Sequence, residues 1–179
     1  MKKILSAFAF LFFPIISNAE NLNYFSNQFY EASDGAKGHI VAIDSIMSQG
    51  RYNVGLKRIH QESENNHVDS YASSIVFDLA LESFTGGWAF IGLSYLNPSN
   101  HGAFGSSNKG HLRAGYAKTN GEGIDYKVYF QTWGKSDESI LGISLRGPLY
   151  GDTLNWTVGY IRDLEFGRGD LSVGLSFKF

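Results

Sequence analysis

The nine residues 171–179 read LSVGLSFKF. Leu171, Val173, Leu175, Phe177 and Phe179 occupy every second position, with Ser172, Gly174, Ser176 and Lys178 between them. Successive side chains of an extended strand point to opposite faces. This stretch therefore makes a strand with one wholly apolar face and one small or polar face.

The same period of two recurs upstream. Tyr71, Ser73, Ile75, Phe77, Leu79 and Leu81 alternate with Ala72, Ser74, Val76, Asp78, Ala80 and Glu82. Ile124, Tyr126, Val128, Phe130 and Thr132 alternate with Asp125, Lys127, Tyr129, Gln131 and Trp133. Leu154, Trp156, Val158 and Tyr160 form another such set. Weaker alternation lies near 39–47, 51–60, 87–96, 110–118 and 140–149. An aromatic but less regular stretch spans 22–31. Together these predict an all-β chain of ten strands, with eight as the alternative if two stretches merge or fail. No repeat, linker or long helical pattern is visible.

The links alternate in length. QESENNHVD, NPSNHGAFGSSNK, GKSDES and DLEFGRG are on the whole longer, SQG, TNGE and YGD are tight turns, and SDGAK and ESFTGG complete the links. In TNGE, Asn120-Gly121 is a hairpin signal. Short turns at one end and longer loops at the other suit an up-and-down antiparallel meander.

The N-terminus carries Lys2 and Lys3, an apolar run from Ile4 to Ile16, and then Ser17-Asn18-Ala19. This is the pattern of a secretory signal peptide, residues 1–19, cleaved after Ala19. The run is short of the roughly 20 residues a membrane helix needs, and Pro14 interrupts it. Residues 20–179 then form one domain. Removing Lys2 and Lys3 from the 15 basic residues leaves 13 against 17 acidic ones. No basic excess points to nucleic acid. The chain has no Cys, so an exported form uses no disulfide. It is rich in Gly (21), Phe (14) and Tyr (10) and has only 3 Pro.

In this setting the terminal strand ending in Phe179 resembles the C-terminal signature of bacterial outer-membrane β-barrel proteins. The resemblance also takes in the signal peptide and the meander, and it is one of class rather than of a particular family. It implies a transmembrane β-barrel in the outer membrane of a Gram-negative bacterium, exported by the general secretory route. It implies recognition of the last strand by the outer-membrane assembly machinery, with lipid and lipopolysaccharide as surroundings. The rival is a soluble barrel or sandwich with the apolar face inside, because periodicity alone does not tell inside from outside.

With the apolar face on lipid, the inward set holds Asp44, Arg51, Lys57, Asp78, Glu82, Arg113, Asp125, Lys127, Arg146 and Lys178. Gly55, Gly92, Gly115, Gly142, Gly159 and Gly174 also fall there, as do Trp88, Phe90, Tyr129 and Trp133. Small barrels have interiors barely wide enough for side chains. Charges of both signs predict a salt-bridged plug. A narrow pore is the alternative, with ion preference set by the lining. Tyr52, Tyr95, Tyr116, Tyr126, Trp156, Tyr160 and Phe179 are candidates for interfacial girdles.

The loops hold the remaining candidates. His60, Glu62, Glu64, His67 and Asp69 cluster between two strands, without the ligand spacing of a known metal site. His101 and Phe104 lie in the longest loop, the latter as an apolar tip like Phe166. No catalytic residue, metal or cofactor is assigned. The expected role is a non-enzymatic barrel of the envelope, structural or surface-interacting. A passive channel and a lipid-modifying enzyme are the alternatives, and the oligomeric state is left open.

Overall fold

A computed structural model describes residues 22–47, 52–62, 69–84, 87–99, 109–133, 139–165 and 167–179. The signal-peptide expectation at 1–19 therefore lies outside the described residues. So do Arg51, Glu64, His67, His101, Phe104 and Phe166.

Ten strands follow one another: β1 (Leu22–Ala32), β2 (Lys37–Met47), β3 (Tyr52–Glu62), β4 (Ser70–Phe84), β5 (Gly87–Pro98), β6 (Lys109–Thr119), β7 (Asp125–Trp133), β8 (Ile140–Tyr150), β9 (Leu154–Asp163) and β10 (Gly169–Lys178). Each pairs antiparallel with its sequence neighbours, and β1 pairs with β10, so the sheet closes. The weakly alternating 22–31 stretch is thus the closing strand, and the eight-strand alternative falls away. Closure removes both sheet edges, which an open sheet would leave unpaired.

The wall is inside-out relative to a soluble barrel. Lumen-facing Ser26, Ser176 and Ala72 are fully buried, and Asp78, Thr157 and Arg113 nearly so. The opposite face exposes Phe25, Ile43, Leu56, Ile75, Leu93, Leu112, Val128, Ile143, Val173 and Leu175. An apolar exterior around a polar interior is the arrangement that hydrocarbon surroundings select. Outward Tyr95 and Tyr160 stand toward the loop end of the wall. Tyr116, Tyr126, Trp156 and Phe179 stand toward the turn end.

Large inward rings are housed by missing side chains. A Cβ on Gly142 would collide with the Tyr129 ring, and one on Gly115 with Phe90. In both cases the ring belongs to the residue directly opposite on the adjoining strand. Each glycine is thus the space that its partner's ring fills.

The Asn-Gly turn differs from expectation. The left-handed glycine is Gly123 (φ 78), not Gly121. The Asn120 side chain accepts from Glu122 N and Ile124 N at 2.9 and 2.8 Å, and Asn120 N donates to Ile124 O at 2.9 Å. The side chain thus organises a longer turn than two residues, and β7 starts at Asp125.

Candidate functional site

The most distinctive chemistry lies in the lumen. Asp78 projects inward from β4, where Gly92 on β5 stands opposite. A Cβ at Gly92 would collide with the Asp78 carboxylate. That carboxylate accepts from Lys127 on β7 and from Asn53 Nδ2 at 3.3 Å, and pairs with Arg113 on β6 at 3.6 Å. The Arg113 guanidinium lies 4.3 Å from the centre of the Tyr129 ring, and the Lys127 ammonium 4.8 Å from that of Phe90. The cations are thus held between a carboxylate and a ring face.

A second group lies across the barrel. Asp44 on β2 pairs with Arg146 on β8 at 3.4 Å. Arg146 stacks over Tyr24, 3.9 Å from the ring centre. A Cβ on Gly55, opposite Asp44, would sit 2.7 Å from its Oδ1. Both carboxylates therefore occupy room left by a glycine on the next strand.

Lys57, inward on β3, lies between the two groups and within electrostatic reach of both carboxylates and both arginines. Among the described residues no carboxylate stands within 4 Å of its ammonium. The layer thus sets Lys57, Arg113, Lys127 and Arg146 against Asp44 and Asp78. Asp125 lies at the turn end of β7, opposite Arg146 in register, where it accepts from Thr119 Oγ1 at 2.7 Å.

On β4 the register shifts between Ala80 and Glu82, where the Glu82 backbone pairs with Ala89, a local break of the kind a bulge makes. Lys178 remains on an inward row, opposite Tyr24.

At the loop end of the outer wall, His60 gathers partners. Its Nδ1 is 3.2 Å from His39 Nδ1, its Nε2 is 3.4 Å from Asp69, and its ring stacks on Tyr71. Glu62 stands opposite Lys37. Next to this cluster Arg58 donates to Ser73 Oγ at 2.8 Å and Ser99 Oγ at 3.0 Å. His39, from the preceding strand, was not legible as part of this group. Among the described residues, no three His, Asp or Glu side chains are grouped to hold a metal ion.

One Ser–His contact also escaped sequence reasoning. Ser94 Oγ lies 2.9 Å from His111 Nδ1, the two being directly opposite on β5 and β6. Both belong to inward rows and are buried. Their pairing joins two strands inside the barrel.

Neither a scan against protein-family models nor a search of curated proteins found a match. Solved structures do match in form. The N-terminal β-barrel domain of Pseudomonas aeruginosa OprF is 11% identical, with 89% of this chain and 97% of that chain covered and a TM-score of 0.41. Neisserial surface protein A is 13% identical over the same shares, with a TM-score of 0.40. Ail, the attachment invasion locus protein of Yersinia pestis, is 10% identical over the same shares, with a TM-score of 0.36. In class, this chain resembles the bacterial small outer-membrane β-barrels. The case for a membrane rests on its own inside-out wall.

Proposed function

We propose that this protein is an integral barrel of a Gram-negative outer membrane with a non-enzymatic role in envelope structure or surface interaction. The carrying observation is the wall itself: aliphatic and aromatic outside, charged and crossed by ion pairs inside. Asp78 joins β4 to β6 and β7, and Asp44 joins β2 to β8, so cross-links of opposite charge span the lumen. Tyr24, Phe90 and Tyr129 add bulk at the same level. On this reading lipid and lipopolysaccharide surround the barrel. The alternating strand β10 is what the assembly machinery engages, and residues 1–19 direct export. The inward orientation of Ser94 and His111 favours a structural over an enzymatic role for that pair.

A second reading, a narrow pore, draws on the grouping of Lys57, Arg113, Lys127 and Arg146. A path through that layer would pass anions in preference to cations.

Planar-bilayer conductance of refolded, inserted protein separates the two. The plugged reading expects no discrete steps. Reproducible steps with anion preference, lost on neutralising Arg113 or Arg146, would replace it with the pore.

A further inference from the structure

Asn27 interrupts the apolar wall. It is exposed on an outward position of β1, between Phe25 and Phe29, which are 38% and 68% exposed. Its register neighbours are Val41 on β2 and Leu175 on β10, both facing outward.

Register also gives its height. Strands of a closed barrel tilt, so a row of paired residues climbs the wall. From Asn27 the row runs through Val41, Arg58 and Ser73 to Asn97, at the loop end of β5. In the other direction it runs through Leu175 and Trp156 to Gly147, near the turn end of β8. Asn27 therefore stands near the middle of the wall. Its amide has no hydrogen-bond partner among the described residues.

An amide in hydrocarbon without a partner is costly. A carboxamide carries both donor and acceptor. Two copies related by a two-fold axis along the membrane normal bring the same residue to the same height, where each amide satisfies the other. We propose that a second copy of this chain docks on this wall, in a two-fold dimer centred on Asn27 and flanked by Phe25, Phe29, Val41 and Leu175. The inference rests on the membrane reading, since in water the amide needs no partner.

The chain has no cysteine, so an introduced one reports without background. Phe29→Cys leaves Asn27 in place. In dilute phospholipid vesicles, oxidation is expected to give a covalent dimer from Phe29→Cys. Leu112→Cys, on β6 at the opposite side of the barrel, is expected to give none. Adding Asn27→Leu to Phe29→Cys should cut the dimer about three- to thirtyfold, the scale of a polar pair in lipid. Heat-modifiable gel migration confirms that each variant is folded, and flotation with the vesicles confirms insertion. Equal cross-linking at Phe29 and Leu112, no dimer from inserted Phe29→Cys, or a dimer indifferent to Asn27→Leu overturns the proposal, leaving lipid as the occupant of this wall. Folded protein that fails to float with vesicles overturns the membrane reading and the dimer with it.

Discussion

Asp78 and Lys127 meet across the lumen, the carboxylate from β4 accepting from an ammonium three strands farther around the wall. Their side chains are 4% and 24% exposed, respectively. Removing one partner of a buried pair leaves the other charge uncompensated, at about 3–5 kcal/mol. Asp78→Ala strands both Lys127 and Arg113 and is expected to destabilise the barrel by that amount. Lys127→Met leaves Asp78 with Arg113 and Asn53 and should cost clearly less. Urea unfolding of vesicle-refolded protein measures both, and equal losses would show that Asp78 is not the centre of the group.

The glycines opposite the carboxylates should be far less replaceable than those on the open wall. A Cβ on Gly92 collides with Asp78, whereas one on Gly110 meets nothing within 4 Å. Gly92→Ala is expected to lose about 1–3 kcal/mol through overpacking. Gly110→Ala should be neutral, or gain up to about 1 kcal/mol from reduced freedom in the unfolded chain. Their relative order in the same unfolding assay decides the point.

Charge on the outer wall should cost according to height. Leu175 stands beside Asn27 near mid-wall, and Leu171 lies toward the loop end. In a bilayer, Leu175→Arg is expected to cost about 2–4 kcal/mol and Leu171→Arg about 0–1 kcal/mol. Both residues are exposed, so a soluble barrel would tolerate the two alike. Comparable, near-zero costs in vesicles would overturn the membrane placement of this wall.

The turn between β6 and β7 offers a local test. Gly123 has a φ of 78 and Gly121 has no positive φ. Gly123→Ala should therefore slow hairpin closure and cost about 1 kcal/mol or more, while Gly121→Ala costs less. Refolding kinetics of the two variants would expose the reverse order if Asn120-Gly121 were the tight turn.

Sequence alone marked out the strands and their two-faced character, whereas the choice of ten strands over eight came from the pairing of β1 with β10. Alternation is a local property: Leu171 to Phe179 separate into two faces as soon as the backbone is extended. The inward glycines and most of the lumen charges were legible for the same reason. The register shifts between Ala80 and Glu82, and nothing in the local residues announces it. Gly123 was overlooked because Asn120 bonds beyond the adjacent Asn-Gly pair.

Only the tertiary structure decided which charges meet. Asp44 and Arg146 lie 102 residues apart, and their contact exists because β1 pairs with β10 and closes the ring. Closure also chose which face is outside, since an isolated alternating strand is indifferent to that choice. The His39–His60 and Ser94–His111 contacts depend on cross-strand register, which is set by turns and pairing together. The height of Asn27 follows from the climb of a hydrogen-bonded row around a closed wall, which no single strand contains.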